Sequence, residues 1–418
     1  QDRSINLSRH LQNRKAVDQL LGPVIDDIVI SPATIMRLSE SDINDAWLKD
    51  LDEVERKIDL LNVGRYRKVA AVNEVHPYLE KLQIKIIERT RNFIVDLIKA
   101  IRFPDANLSS LQQLSFLRCT RPFSFLKRHN EQLATELGQA YVNTLRWYYT
   151  SHFERFSKIL SKLQYRLLDR SEVLAKDTRV SRGGLFAAAA ALTKPLISEE
   201  PFQLGDRIKI LTSQESNIIN SHMAEDTKRY FHLETIFNSF NYVLIDNASA
   251  EYLFLVEFFG YSNDRTSSIF QEIFQPSFNI GMVNILLYPQ THVKNLISTF
   301  ISENTDVHGL LLCIRLTQAY AFELQRRRIP VLENYINAIL IHLWPRFQRA
   351  MDTHGESLRK NGATMKPFQN NESDTVPHPL TQQFAQFLQG ILSLETIDAE
   401  NEPINSRSGF LPRTKLMF

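Results

Sequence analysis

The feature that most constrains the fold is a long stretch of sequence without proline. No proline occurs between Pro122 and Pro195, a span of 72 residues that contains only three glycines. Within this span, large apolar side chains recur every three or four residues from Leu133 to Leu167. That period places them on one face of a helix, so it predicts one long helix, or two stacked helices, of about ten turns. Asn130 precedes the stretch and is a suitable N-cap.

Turn-forming residues are scarce along the whole chain. The 418 residues include 13 glycines and 16 prolines, about 7% together against a usual share of roughly 12%. A chain with so few turn residues cannot form many hairpins, and no segment shows sustained alternation of polar and apolar residues. We therefore predict an all-α fold, an elongated helical rod of stacked helical bundles, with well over half of the residues in helices.

A second apolar stripe lies near the N-terminus. Trp47, Leu51, Val54, Ile58 and Leu61 are spaced alternately by four and three residues, as in a coiled-coil seam. This rhythm makes Val54, Ile58 and Leu61 a candidate interface with another subunit. The alternative is that the same face packs within the chain.

Prolines give further expectations about where helices begin and end. A third apolar stripe runs over residues 72–101, and Pro77 within it predicts a break or a kink near residues 75–76. Ser31 followed by Pro32 is typical of a helix start, with the hydroxyl as the cap and proline at the first helical position. Residues 1–46 are expected to form shorter helices.

Changes in composition divide the chain into six predicted segments. Residues 181–229 and 353–379 are rich in glycine and proline and are predicted linkers, the first of them also a possible insert. The predicted order is N-terminal helices with the coiled-coil-like stripe (1–110), a long-helix bundle (111–180), the first linker (181–229), a helical bundle (230–352), the second linker (353–379), and a short helix with a tail (380–418).

The sequence carries no motif that indicates catalysis, a cofactor or a metal. It contains no phosphate-binding glycine loop, no dinucleotide fingerprint, no H-E-x-x-H, no C-x-x-C and no G-x-S-x-G elbow. Its two cysteines, Cys119 and Cys313, lie among apolar neighbours and are expected to be buried free thiols. We therefore predict no catalytic residues, no cofactor and no metal, and hence a protein that is not an enzyme. The weaker alternative is a helical enzyme without a recognisable motif.

The charge balance argues against nucleic acid as a partner. Lysine and arginine number 49, aspartate and glutamate 47, so the net charge is only +2. No apolar stretch approaches the roughly 20 residues that a membrane-spanning helix needs, so the protein is expected to be soluble or peripheral to a membrane. The basic run Arg326, Arg327 and Arg328 is a candidate contact for an acidic partner or anionic lipid, with a solvated helix face as the alternative.

Two aromatic blocks have structural interpretations. Tyr252, Phe254, Phe258 and Phe259 are expected in the core rather than at a cofactor. Residues 343–347 read Leu-Trp-Pro-Arg-Phe, and a proline inside a helix would kink it. The kink is expected to direct the tryptophan and the phenylalanine at a neighbouring helix. The alternative is a recognition motif exposed to a partner.

Several short blocks, taken in order, resemble one known family. The blocks are residues 230–240 (YFHLETIFNSF), 244–247 (LIDN), 251–254 (EYLF), 257–259 (EFF), 328–332 (RIPVL) and 343–347 (LWPRF), with further likeness at 115–122 and 141–145. Together they are similar to the vacuolar protein sorting-associated protein 52 family. The likeness extends more weakly from about residue 7 to residue 394.

The resemblance implies a non-catalytic function. Members of this family are subunits of the Golgi-associated retrograde protein complex and of its endosomal recycling relative. It implies a helical tethering subunit that assembles with three sister subunits and captures endosome-derived vesicles at the trans-Golgi network, with SNARE proteins and a Rab-family GTPase as partners. A subunit of a related tether, of the exocyst or conserved oligomeric Golgi type, is the alternative with the same fold. The region 181–229 does not follow the family pattern clearly.

Overall fold

The structure is a computed structural model, and its described part is almost entirely helical. It describes residues 2–62, 69–103, 106–163, 168, 172–175, 202–212, 214, 218–219, 231–285, 305–362 and 379–401. Helices occupy most of these residues, and none of them belongs to a strand element. The prediction of an all-α fold is confirmed.

Twelve α-helices are numbered here in chain order over the described residues. They are α1 (Asp2–Ile28), α2 (Pro32–Glu40), α3 (Asp45–Asn62), α4 (Ala70–Ala100), α5 (Leu108–Leu111), α6 (Thr120–His129), α7 (Glu131–Leu160), α8 (Leu233–Phe259), α9 (Asn263–Ile285), α10 (Val307–Arg327), α11 (Glu333–Gly362) and α12 (Pro379–Asn401). Shorter turns of other helix types span Gln112–Phe116, Leu117–Cys119, Gly205–Leu211 and Pro330–Leu332.

The long helix predicted from the proline-free stretch is α7. Its N-terminus is capped as expected, because the N–H of Leu133 donates to Oδ1 of Asn130 at 3.1 Å. The helix ends at Leu160, so the apolar period overestimates its length. Leu163 still lies in the core, but in the turn that follows the helix.

Proline marks one helix start and fails to mark a break elsewhere. α2 begins at Pro32 as predicted, although the Ser31 side chain makes no capping hydrogen bond. Of the break or kink predicted at Pro77, the break is wrong, since α4 continues through this residue, and the kink stays a prediction. A proline removes one helical hydrogen bond, but Val72 and Leu79 on either side are both buried in one core, which holds the helix together.

Two predicted segment boundaries also differ from the structure. In residues 1–46, where the sequence predicts shorter helices, α1 is a long helix of 27 residues and only α2 is short. The predicted linker 353–379 begins too early, because α11 continues to Gly362 and residues 363–378 lie outside the described residues. Most of the predicted linker 181–229 also lies outside them, and its described part includes the 3-10 turn Gly205–Leu211.

Contacts within the chain group it into two units, each built from separate segments. Unit 1 comprises Gln1–Tyr148 and Tyr252–Ile273, and unit 2 comprises Tyr149–Glu251 and Phe274–Phe418. This grouping differs from the linear order of segments predicted from composition, because apolar periods locate helices but do not say which helices pack together.

Unit 1 contains a continuous apolar core between α1, α2, α3, α4 and α6. The buried side chains of this core are Ile28, Leu38, Trp47, Leu51, Val54, Ile58, Leu61, Val72, Leu79, Leu82, Ile86 and Phe125. The coiled-coil-like stripe of α3 therefore supplies the centre of this bundle. The Trp47 indole N–H also donates to the carbonyl of Leu38 at 3.3 Å, which fixes α2 against α3.

A second, aromatic part of unit 1 contains the side chains of the predicted aromatic block. Phe116 meets Phe254 and Phe258 edge-on, with ring centroids 5.9 and 5.7 Å apart, and Phe123 stacks on Phe258 at 5.0 Å. Tyr141 packs beside Phe254 at 5.6 Å. Such arrangements stabilise aromatic pairs beyond their buried area, and the prediction that this block is core is confirmed.

Unit 2 is organised around the paired helices α10 and α11. The 3-10 turn Pro330–Leu332 joins them, and both α12 and the turn Gly205–Leu211 pack on α10. α12 approaches α10 closely at Gly390, where a Cβ atom would meet the imidazole of His308. Glycine at this position lets α12 pack against His308 without displacing the ring.

Candidate interaction surface

The turn after α10 brings the predicted basic run to the protein surface. Arg328 has a left-handed backbone (φ 58°, ψ 48°), and the N–H of Ile329 donates to the carbonyl of Leu324 at 3.0 Å. This is a Schellman-type helix end, in which the left-handed residue is usually glycine. The chain reverses here and enters α11 through the 3-10 turn that begins at Pro330.

An Arg328→Gly variant is expected to be more stable than the parent by about 0.5–1 kcal/mol, because glycine adopts the left-handed conformation without a Cβ penalty. Arg326→Gly, at the preceding turn inside α10, should instead lose about 1 kcal/mol. Urea unfolding of both variants measures the two effects. A loss of stability in Arg328→Gly would contradict the capping role.

The three arginines do not form a free cationic patch. Glu323 accepts hydrogen bonds from Arg326 at 2.6 Å and from Arg327 at 2.7 Å, and Arg327 also reaches Asp246 at 3.4 Å. The hydrogen bond from Arg326 is the largest of the effects that lower the pKa of Glu323 to about 2. These pairs are exposed and exchange partners at little cost. Contact with an acidic partner or lipid through Arg326, Arg327 and Arg328 stays a prediction.

Beside this turn lies a small cavity of about 40 Å³ within unit 2. Its lining includes Tyr242, Tyr320, Asp246, Glu323 and Arg327. This volume holds one or two water molecules, and it leaves little room for a ligand larger than the end of a side chain.

The other predicted site residues lie inside the protein. Val54, Ile58 and Leu61 are no more than 9% exposed and belong to the core of unit 1. The structure therefore favours the alternative interpretation of the seam pattern, in which this face packs within the chain. A seam and a bundle core share one apolar period, so sequence alone could not separate them.

The Leu-Trp-Pro-Arg-Phe block lies in α11, with Pro345 inside the helix as predicted. Leu343 is buried, Phe347 is half-buried and Trp344 is 39% exposed. The indole ring of Trp344 meets Phe347 edge-on at 5.8 Å. A kink at Pro345 that directs these rings at a neighbouring helix stays a prediction.

Sequence analysis missed a buried ionic network in unit 2. Arg207 donates to both carboxylate oxygens of Glu234, at 2.7 and 2.8 Å, and to Asp306 at 2.6 Å. Asp306 also caps α10 by accepting the N–H of Gly309 at 2.9 Å, and Glu234 lies in the first turn of α8. Both carboxylates therefore lie at helix N-termini, where negative charge is stabilised.

Mutual charge sets the protonation of this network. Burial works to lower the pKa of Arg207, but the charges of Asp306 and Glu234 raise it well above its ordinary value. Burial works to raise the pKa of Asp306, yet the neighbouring Arg207 guanidinium keeps it below the ordinary value. Arg207 and Asp306 therefore stay charged at neutral pH. The network binds one short turn, Gly205–Leu211, to two helices, which is a structural role.

Two histidines close to this network are buried in their neutral form. The N–H of Leu174 donates to Nδ1 of His354 at 3.2 Å, so Nε2 carries the proton and donates to the carbonyl of Thr305 at 2.8 Å. His308 donates from Nε2 to the carbonyl of Phe387 in α12 at 3.0 Å. Burial lowers the pKa of both imidazoles, an effect that these hydrogen bonds to carbonyl groups partly offset.

Stability is expected to fall as the pH is lowered from 7.5 to 5.5. The folded-state pKa of His354 lies below the unfolded value of about 6.5, so the unfolded chain binds more protons in this range. The contribution of neutral His354 to the free energy of unfolding is complete above about pH 6.5 and decreases as the pH falls below that value. His354→Gln keeps one donor and one acceptor but does not titrate, so urea unfolding at several pH values should show a smaller decrease. His76→Gln, at an exposed position, should leave the decrease unchanged, and an equal decrease in parent and His354→Gln would contradict the assignment.

Neither cysteine has the surroundings of a reactive thiol. Burial raises the pKa of Cys119 to about 12 and that of Cys313 well above its ordinary value, so both stay protonated at neutral pH. Among the described residues, no group of three or more histidine, cysteine, aspartate or glutamate side chains could hold a metal ion.

One stretch of the described chain, Arg3–Glu40, is long and apolar enough to pass a hydropathy test for a membrane span. It consists of α1 and α2 with a break at residues 29–31, and Pro23 lies inside α1. A break in the helix would leave peptide groups without partners in lipid. The match in length and composition is therefore weak evidence for a span.

Over the described residues, the packed helices define an all-α protein of the helical-bundle class. Residues 143–411 match the family model described as Vps52, C-terminal, and residues 1–126 match the one described as Vps52/Sac2 family, coiled-coil. The chain belongs to the Vps52 family, and the resemblance drawn from the short sequence blocks is confirmed.

Relatives from distant organisms align over nearly the whole chain. Vacuolar protein sorting-associated protein 52 A of Arabidopsis thaliana is 31% identical over 94% of this chain and 52% of its own length. Vacuolar protein sorting-associated protein 52 of Schizosaccharomyces pombe is 30% identical over 96% of this chain and 76% of its own length. The Homo sapiens homolog is 26% identical over 96% of this chain and 53% of its own length. The chain thus spans about half the length of the plant and human relatives. No solved structure matches it.

Proposed function

We propose that the chain is a non-catalytic scaffold subunit of a vesicle-tethering complex for retrograde transport from endosomes to the trans-Golgi network. In this function it promotes vesicle capture and SNARE-dependent fusion. The observation that carries the proposal is membership of the Vps52 family along almost the whole chain. The relatives are named for vacuolar protein sorting, which supports an endomembrane role for this chain.

The exposed first half of α1 supports assembly with sister subunits. Residues 3–21 of this helix are exposed throughout, and large apolar side chains such as Ile5, Leu7 and Leu20 are more than 60% exposed. An isolated helix without a packed face is only marginally stable in water. This part of α1, within the region that matches the coiled-coil family model, is therefore a suitable place for sister subunits to pack.

The other proposed partners follow from the same function. They are SNARE proteins and a Rab-family GTPase, with membranes reached through the assembled complex and no direct contact with nucleic acid. The chain would then lie on the cytosolic face of the trans-Golgi network and endosomes as a peripheral component. The exposed arginines 326–328 are candidate contacts for acidic groups on these partners.

A chimera tests the proposal directly. The segment of the Schizosaccharomyces pombe relative that aligns with this chain is replaced by this chain, and the chimera is expressed in cells lacking the relative. The expected result is co-purification with the sister subunits and restored delivery of a vacuolar hydrolase. A matched chimera with the core variant Val54→Glu/Ile58→Glu should restore neither. A chimera that folds but neither assembles nor restores delivery would refute the proposal, and co-purification with subunits of a different tether would favour the alternative complex.

A further inference from the structure

Helix α11 packs one apolar face in the core and exposes two large apolar side chains on the opposite side. Ile336, Ile339, Leu343 and Ala350 are buried on one side, at spacings of three, four and seven residues. The two exposed apolar side chains lie beside a proline and an arginine, and we call the set of Ile341, Trp344, Pro345 and Arg349 the Trp344 surface. Ile341 is 68% exposed and Trp344 is 39% exposed. These four residues are spaced by three, one and four positions, so they share one helix face.

A solvated helix face is ordinarily polar, so the composition of this surface requires a physical cause. Core packing does not provide one, because the buried face lies on the opposite side of the helix. Single exposed apolar residues are common, but here isoleucine, tryptophan and proline lie within two turns. Tryptophan and arginine are the side chains that most often dominate binding energy at protein interfaces.

The Trp344 surface also presents hydrogen-bonding groups without protein partners. Pro345 has no N–H, so the carbonyl of Ile341 lacks its usual helical donor. Within the described part of the chain, the indole N–H of Trp344 has no hydrogen-bond acceptor. An acceptor for the indole and a donor for the carbonyl would both have to come from a partner or from water.

The Trp344 surface includes one cationic side chain, Arg349. Its Nε donates to the carbonyl of Pro345 at 3.3 Å, which places the guanidinium beside the same turn. No carboxylate of the described residues forms an ion pair with Arg349. A carboxylate from a partner could therefore accept hydrogen bonds from this guanidinium.

We propose that the Trp344 surface binds a short acidic segment of a partner protein, in which a carboxylate lies beside one or two large apolar side chains. The apolar groups cover Ile341 and Trp344, and the carboxylate accepts from Arg349 and the Trp344 indole. The backbone or side-chain N–H groups of the segment donate to the carbonyl of Ile341. This inference concerns the side chains of α11 alone and does not depend on the proposed function.

The same observations argue against an anionic lipid bilayer as the occupant. Inserting Ile341 and Trp344 into hydrocarbon would carry the unpaired carbonyl of Ile341 into a medium without donors. Asp352 lies one turn beyond Arg349 on the same face, where it accepts a hydrogen bond from Gln348 at 3.0 Å, and its charge would repel the flat surface of an anionic bilayer. A single carboxylate on a peptide can instead be placed on the side of Arg349 that faces Trp344.

The test is a selection for peptides that need the Trp344 surface. A display library of random 16-residue peptides is selected on the full chain and depleted on an Ile341→Ser/Trp344→Ser variant. Enriched peptides are synthesised and their affinities are measured by fluorescence anisotropy. We expect the enriched peptides to combine Asp or Glu with adjacent large apolar residues. Their affinity for the Trp344→Ala variant should be at least tenfold lower than for the parent, and their affinity for Arg349→Gln severalfold lower. The effect of Arg349 should diminish at high salt.

Control variants distinguish binding at this surface from nonspecific adhesion and from unfolding. Trp147→Ala removes a tryptophan that is 53% exposed in α7 and should leave peptide affinity unchanged. Because all the replaced side chains are exposed or partly exposed, the variants should melt like the parent, and Ile341→Ser gives a second readout if Trp344→Ala does not. The proposal is overturned if no peptide is enriched, or if enriched peptides lack acidic residues or bind Trp344→Ala like the parent. Trp344-dependent sedimentation with phosphatidylserine vesicles, without peptide binding, would also overturn it and identify a lipid surface.

Discussion

An Arg207→Met variant is expected to lose about 3–5 kcal/mol of unfolding free energy at pH 7.5, because it leaves two buried carboxylates without their shared cation. Glu234 and Asp306 are 1% and 5% exposed, so water cannot replace the guanidinium. Urea unfolding measures the loss. Arg207→Lys keeps the charge but cannot donate to both carboxylates in the same geometry. Its free energy of unfolding should therefore lie between those of the parent and Arg207→Met.

The pH dependence of this loss distinguishes lost charge pairing from lost packing. In the parent, Arg207 keeps the pKa of Asp306 low, so the stability from this pair is present at neutral pH and falls as the carboxyl is protonated in acid. Without Arg207, burial dominates and raises the carboxyl pKa values, so the folded variant gains protons as the pH falls. The difference in unfolding free energy between the parent and Arg207→Met should therefore become smaller from pH 7.5 to pH 5. A difference that does not change with pH would show that the network acts through packing alone.

The double variant Val54→Glu/Ile58→Glu is expected to lose more than about 4 kcal/mol, because each substitution places a carboxylate in an apolar core. Both parent side chains lie among buried apolar neighbours of α1, α2 and α4. Thermal unfolding followed by circular dichroism measures the loss. Ile84→Glu in α4, at a position that is 66% exposed, is the matched control and should stay within about 0.5 kcal/mol of the parent.

This second experiment also separates the two interpretations of the α3 seam. If these residues are core, loss of subunit binding should occur only together with loss of folding. If the double variant melts like the parent and yet no longer co-purifies with sister subunits, the side chains face a partner and the burial described above does not persist in the complex.

Local patterns in the sequence predicted local structure well. The apolar period located α7, and an asparagine directly before the period identified its cap. Both follow from interactions between residues three or four apart, which are visible in sequence. α4 continues through Pro77 because buried side chains on both sides of it outweigh the local cost of the proline. α11 continues past Gly355, directly after the buried His354, because a single glycine in a helix costs only about 1 kcal/mol.

Features that depend on distant residues could not be predicted. Arg207 is 27 residues from Glu234 and 99 residues from Asp306, and no spacing rule connects them. The side of α11 that faces the core depends on the packing of α10 and α12, so sequence left open whether Trp344 was buried or exposed. The local sequence signal in α11 was a pair of large apolar residues, Ile341 and Trp344, on the side opposite the buried stripe.

The division of unit 1 into two chain segments has a consequence for synthesis on the ribosome. Phe116, Phe123 and Tyr141 emerge early, but their aromatic partners Phe254 and Phe258 follow only after about 110 further residues. At roughly 5–20 residues per second, this interval is about 5–20 s. During that time half of an aromatic core has no covering helix, and exposed apolar surface of this kind binds chaperones and aggregates. Translation speed between these segments therefore bears on the yield of folded protein as directly as the final stability does.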